Sequence, residues 1–293
     1  MTPLGRVTAS LGAIALAVVC LTIGQAGAKT ASASSVTVKT LARGPVKSLQ
    51  TGKIYLSILE FRQQPGADFG PHSHQPSIVY TRQGVDTISF TSAATQSIGP
   101  GEAAFIPAQV VHTHLNLNGR LGAGAIAVGL ILLVGLLCAA TLLRGRVRPA
   151  TIAGLSILLI ASGAVPLLRA TANDYYLFAV RPEVQRTGAM PRPDAWIFYA
   201  APDMDPVPPG PYVDTLNAIT VPAGASYDAP NAQGPQMIVV LGGTATVHVG
   251  DQTTQLAGAG AASAQAGETL SIVNSGSGTL QLLDFAVTPN PAT

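Results

Sequence analysis

The chain has almost no cysteine and little charge. Of its 293 residues only two are cysteines, Cys20 and Cys138, and both lie inside apolar runs. That excludes a disulfide framework and a thiolate metal site. Charged residues make up 10% of the chain and the net charge is +2, too weak a field to recruit nucleic acid. No Ser-His-Asp order, phosphate loop or paired acidic motif is present, and Glu60, Asp68, Asp86 and Glu102 are scattered, so these carboxylates read as solvated. What is abundant is apolar surface: hydrophobic residues reach 47%, a share that places part of the chain in a membrane.

Three apolar runs carry that expectation. The first, from about Val7 to Ile23, follows Arg6 and leads to the small residues Ala26-Gly27-Ala28, the pattern of a secretory signal or retained anchor over 1–28. Leu121–Leu143 and Ala150–Leu168 are uncharged and bracket the arginine-rich loop Arg144-Gly-Arg-Val-Arg148. Runs of this length predict a transmembrane helical hairpin over 121–170, and the arginines place its loop in the cytoplasm. The expected location is the cell membrane, with everything else from Lys29 onwards on the extracytoplasmic side.

The remaining sequence reads as all-β. Lys53–Arg62 is β-rich, Ser77–Arg82 and Val85–Phe90 flank Gln83-Gly84 as a hairpin does, and Ala103–Ile106 and Val110–Leu117 follow, with glycine and proline between them. Short strands at regular spacing predict a sandwich or barrel.

Four of the five histidines fall in two tight pairs, His72/His74 and His112/His114. Residues i and i+2 of a strand point to the same face. Two such strands meeting inside a barrel bring four imidazoles together, and imidazole is the commonest metal ligand. The frame around the pairs is more specific than the pairs themselves. Gly66, five residues, His72-Ser-His74 and then Gly84 resembles the first motif of the cupin superfamily; Gly101, five residues, Pro107, His112 and Asn116 resembles the second. The resemblance implies a jelly-roll β-barrel holding one metal ion. Two departures stand out. Ser77 occupies the position where the family supplies a glutamate ligand, and Gln109 stands where it has a glycine. Without the glutamate the resemblance implies an all-histidine site of His72, His74 and His112, with His114 either a fourth ligand or a proton-handling group.

Pro222–Val249 resembles Pro65–Phe90 and predicts a second barrel. Anchored on Gly84 and Gly243, Asn231 falls opposite His72, Gln233 opposite His74 and Gln236 opposite Ser77, while Leu270 falls opposite His112 and Asn274 opposite Asn116. The second copy keeps the frame and loses the ligands. Phe178-Ala-Val-Arg-Pro182 recurs as Phe285-Ala-Val-Thr-Pro289; Asn116 to Val180 spans 64 residues but Asn274 to Val287 only 13, a difference of 51. The expected organisation is therefore a first barrel over 29–120, a hairpin over 121–170 (spans 121–143 and 150–168), a strand at 171–182 closing the first barrel, and a second, degenerate barrel over 194–293. Gly188–Pro193 and Pro202–Pro211 read as linkers, and His248 as structural.

Two functions follow from this reading. One is a membrane-anchored extracytoplasmic protein that binds a divalent transition metal (Fe, Mn, Zn, Ni or Cu) and through it a small molecule. The other is a metal-dependent oxygenase- or isomerase-like enzyme acting on a small-molecule substrate. Pairing of barrels into a homodimer is compatible with either.

Overall fold

The computed structural model describes residues 35–49, 51–118, 120–142, 154, 156–158, 160–161, 163–164, 170–186, 194–205, 207–208, 210–230 and 233–290. In chain order the strands are β1 (Thr37–Val46), β2 (Ile54–Gln63), β3 (Ser77–Gln83), β4 (Asp86–Phe90), β5 (Gln96–Ile98), β6 (Ala103–Ile106) and β7 (His112–Leu115). After helix α1 (Arg120–Leu142) come β8 (Asn173–Pro182) and β9 (Ala195–Ala200). The C-terminal part holds β10 (Tyr212–Val221), β11 (Ser226–Asp228), β12 (Gln236–Gly242), β13 (Thr244–Val249), β14 (Gln252–Ala257), β15 (Ala261–Ala264), β16 (Leu270–Asn274) and β17 (Leu280–Pro289).

The body is all-β, as the alternation and turn signals require. Its strands form two sheet pairs of matching plan. A five-stranded sheet of order β6-β3-β8-β2-β9 faces a three-stranded sheet β5-β4-β7; a five-stranded sheet β15-β12-β17-β10-β1 faces a four-stranded sheet β14-β13-β16-β11. Registers match as well as orders. Ser77 pairs with Ala179 as Gln236 pairs with Ala286, and Phe90 pairs with His112 as Val249 pairs with Leu270.

One strand in each pair comes from elsewhere in the chain. β1 precedes β2 in sequence yet pairs along its length with β10, and β9 precedes β10 yet pairs with β2. The two sheet pairs therefore exchange edge strands, and a division of the chain at residue 120 or 194 cuts across both.

Alternation of side chains along each strand sorts the core into layers. Leu59, Val79, Ile88, Tyr175 and Leu177 fill the interior of the first pair; Ile219, Ile238, Val240, Val247, Ile272 and Leu282 fill that of the second. The opposite faces of the two five-stranded sheets, with Leu56, Ile78 and Phe178 on one and Leu216, Met237 and Phe285 on the other, meet in a third buried cluster. Each such fully buried side chain is worth about 1.5–3 kcal/mol, so this middle layer binds the two pairs together.

Asn116 and Asn274 hold the same corner of each pair. The Asn116 amide donates to the carbonyls of Gln63 (2.9 Å) and Thr171 (3.1 Å), and its oxygen accepts the Asn118 N–H. Asn274 donates to Val221 and Gly278 (both 2.8 Å) and accepts from Gly276. The corner is closed across 55 residues in the first pair and across 4 in the second. β8, entered directly after Thr171, lies between β2 and β3.

The expected transmembrane hairpin is corrected. Among the described residues no helix is long and apolar enough to cross a membrane. Among those residues the structure therefore does not support a hairpin of two membrane-spanning helices, or a membrane partner reached through it. Absence of charge is a condition for a span and does not by itself make one. The signal or anchor segment expected at 1–28 and the linker Gly188–Pro193 lie outside the described residues.

Candidate metal centre

Two elements bring the histidines together. His112 and His114 sit on β7, where the two-residue period turns both rings inward, and each is 1% exposed. His72 and His74 lie in the segment between β2 and β3 and not on a regular strand. That segment is nonetheless held as a strand would be: His72 and His112 form an isolated bridge, and the Gln109 N–H donates to the His74 carbonyl at 3.0 Å. Gln109 does this at φ +59°, the left-handed conformation. The turn thus demands what a glycine gives freely, and a longer side chain occupies it under strain. At the other turn, Gly84 has φ +77°, and a Cβ there would stand 2.3 Å from Asn173 Oδ1. No other residue fits.

His72, His74 and His112 each offer one ring nitrogen to a common point, the three atoms lying within 4.8 Å of one another. The ring centroids are 4.5 Å apart for His72 and His112, 4.8 Å for His74 and His112, and 5.7 Å for His72 and His74. In every case Nδ1 faces a backbone carbonyl: Gly70 at 2.9 Å, Gln75 at 2.6 Å and Val110 at 2.8 Å. A carbonyl only accepts, so Nδ1 carries the proton and the Nε2 lone pair is left for a cation. The Nε2 atoms of His74 and His112 are buried and bond to nothing in the protein. Unpartnered buried nitrogens are costly in a fold with no ligand for them. Burial holds the pKa values of His74 and His112 down at about 4, against the pull of the Gln75 and Val110 carbonyls. Both rings are neutral at neutral pH, the state that ligates.

His114 stands apart from these three atoms. Its Nδ1 lies 2.7 Å from Asp86 Oδ2, and its ring stacks on Tyr175 with centroids 5.2 Å apart and planes 14° from parallel. It remains adjacent to the cluster, 5.2 Å from His112 and 5.7 Å from His72 between centroids. Asp86, expected to be solvated, is fully buried. The signal was available: in Asp86-Thr-Ile-Ser-Phe90 the acid is in phase with Ile88 and Phe90, on the inward side of β4. Glu60, by contrast, pairs on the surface with Arg82 and Trp196, and Asp68 bonds Thr113.

Ser77 faces the interior on β3. It is fully buried and its Oγ has no hydrogen-bond partner. At the corresponding registers of the second pair stand Gln236, bonded to Asp284 at 2.6 Å, and Leu270 in place of His112. Gln233 is exposed, and Asn231 lies outside the described residues. His248 bonds Thr253 on the surface hairpin β13–β14.

No family model matches the chain, and no curated protein matches it. Among solved structures, AerE from Microcystis aeruginosa is similar at 10% identity, covering 85% of this chain and 98% of its own, with a TM-score of 0.46. An oxalate decarboxylase of Bacillus subtilis with Mn(II) centres is similar at 10% identity, covering 87% of this chain and 78% of its own, with a TM-score of 0.47. Likeness at this level carries nothing over to this chain, and what the centre does is read from its own residues.

Proposed function

We propose that this chain is a two-barrel protein of cupin type whose first barrel holds one divalent metal ion through His72, His74 and His112 and offers it to a small molecule. The observation that carries this reading is the pair of buried, unpartnered Nε2 atoms on His74 and His112, converging with a nitrogen of His72 within 4.8 Å. Three neutral imidazoles suit a borderline transition metal and leave coordination positions open to an exogenous ligand. The second barrel is a copy of the first in which Leu270 replaces His112, and residues 117–170 are an insertion at the Asn116 corner. The matched registers and the repeated asparagine bonds support that history.

The direct test is metal analysis. Protein purified without chelator and then reconstituted with Zn2+, Mn2+ or Fe2+ should hold about one equivalent, and the His72→Ala/His112→Ala double variant none. Equal metal in the two proteins would remove the assignment.

A second reading, catalysis at the same centre, is favoured by the His114–Asp86 pair beside the triad. A buried imidazole oriented by a carboxylate is equipped to hold or pass a proton. Oxygen uptake by the metal-loaded protein, screened over thiols, diketones and phenols, separates turnover from binding alone.

A further inference from the structure

Beside the triad, the interior of the first barrel carries a second set of unsatisfied polar groups. Ser57, Ala179 and Ser77 form one row across β2, β8 and β3, paired Ser57↔Ala179 and Ser77↔Ala179. All three are small, so this row fills little of the barrel's width. The Ser77 hydroxyl is buried without a partner; the Ser57 hydroxyl reaches only the Ala179 carbonyl at 3.4 Å. The next inward position on β8 is Arg181, two residues beyond Ala179, with Tyr55 of β2 directly opposite it. Directly paired residues present their side chains to the same face. Tyr55 is fully buried, and its hydroxyl also has no partner.

Arg181 is half-buried, and among the described residues no carboxylate pairs with it. It lies close to the triad: Arg181 lines one small crevice with Gln75 and Pro76, the two residues that follow His74. The one buried acid of the first sheet pair, Asp86, is engaged by His114. A divalent ion on three neutral imidazoles would add to the charge of Arg181, and among the described residues no carboxylate pairs with that guanidinium. Burying unpaired charge is expensive, and a guanidinium flanked by hydroxyl donors is matched by a carboxylate.

We propose that Arg181, Ser77 and Tyr55 form a carboxylate-binding subsite next to the triad, and that the first barrel's ligand is a small carboxylic acid bound as its anion. The proposal rests on the metal-binding reading only for the ligand's second contact. The guanidinium and hydroxyls hold the carboxylate whether or not an ion is present.

The test uses acetate as the probe and acetamide as its neutral isostere. Binding is read by saturation-transfer NMR on the acetate methyl, with the full chain in metal-stripped and in zinc-loaded form. Zinc content and melting temperature are measured on every sample. The wild type should give a saturable acetate signal and none with acetamide. Arg181→Met should weaken acetate at least tenfold in both forms while retaining the wild type's zinc, and Arg181→Lys should recover part of the loss. Ser77→Ala, a small change in a buried row, should weaken acetate several-fold and serves if the arginine variants do not fold. Undiminished acetate binding in folded Arg181→Met and Ser77→Ala, or equal binding of acetamide, would overturn the subsite. Absence of zinc from the wild type alongside Arg181-dependent acetate binding would overturn the metal reading and leave the subsite standing.

Discussion

His72 and His112 grip each other through the backbone: each N–H donates to the other's carbonyl at 2.9 Å. This reciprocal pair fixes a loop histidine against a strand histidine before any ion arrives. Preorganisation of this kind lowers the cost of binding. His72→Ala removes the ring and keeps both backbone bonds. Its melting temperature should stay within about 2 °C of the metal-free wild type, while zinc affinity falls by at least 100-fold. Calorimetry with zinc, beside a thermal melt, checks both halves.

Acid should release the metal late. With His74 and His112 titrating at about 4, protons compete poorly for their lone pairs in the range where an ordinary imidazole, near 6.5, is already charged. Bound metal should therefore survive at about pH 5.5 and be lost as pH approaches about 4. The same shifts act on the metal-free fold. Between about 6.5 and about 4 the unfolded chain binds more protons at these rings than the folded one, so stability falls as pH drops through that window. Equilibrium dialysis and urea melts across pH 4–7 read the two effects separately.

Asp86→Asn tests whether His114 is a ligand. The variant keeps the shape of the acid and removes its charge from the bond to His114 Nδ1. A change at a buried hydrogen-bonded pair should cost about 1–3 kcal/mol of stability. Metal stoichiometry should remain near one equivalent, because three other imidazoles supply the cluster. Loss of the metal from folded Asp86→Asn would promote His114 to the coordination shell.

Asp214 lies on β10, on the face turned towards the layer between the two five-stranded sheets. It is fully buried, and neither carboxylate oxygen has a partner. Burial pushes its pKa up to about 7. Its folded value lies above its unfolded one, so the acid contributes fully below about 3.8 and its contribution drains away as pH rises towards 7. Asp214→Asn should leave stability nearly unchanged near pH 4 and raise it at pH 8, by about 1–3 kcal/mol. Chemical denaturation at the two pH values checks the sign.

Residues 117–170 should be dispensable for the metal. Thr171 receives the Asn116 amide just as Gly278 receives that of Asn274. Replacing 117–170 with the Ser-Gly-Ser that follows Asn274 rebuilds the shorter corner. The shortened chain should bind zinc with wild-type stoichiometry. Failure of an otherwise folded protein to bind would show that the insertion takes part in the site.

Much of the centre was legible beforehand because it is local. Glycines, a proline and histidines at fixed spacing depend on turns and on the two-residue period, which act over a few neighbours. The proposed repeat rests on signals of the same local kind: Gly243, Asn274 and Phe285-Ala-Val-Thr-Pro289 echo their counterparts in order. What escaped the reading is set by partners far away in sequence. Asp86 reads as solvated from its charge alone, yet its phase with Ile88, the residue paired with His114, turns it inward to meet the His114 ring. The placement of β1 on β10, and of β9 on β2, left no mark in either strand's own composition, because an edge strand reads the same whichever sheet it joins. Hydropathy overreached at Leu121–Leu143 and Ala150–Leu168 by taking freedom from charge as proof of a span.

The exchange of β1 and β9 also sets an order of events during synthesis. β1 is among the first structured segments to be made, yet its partners begin at Tyr212, so that Ala42 waits for Leu216. β2 in turn completes its sheet only when Ala195–Ala200 has been made. Contacts so distant in sequence demand large loop closures and slow the search. The first sheet pair has all its strands only at Ala200, and the second, although it holds β1, only at Pro289. The histidine centre, though encoded before residue 115, comes to rest in a completed wall only after most of the chain has been translated.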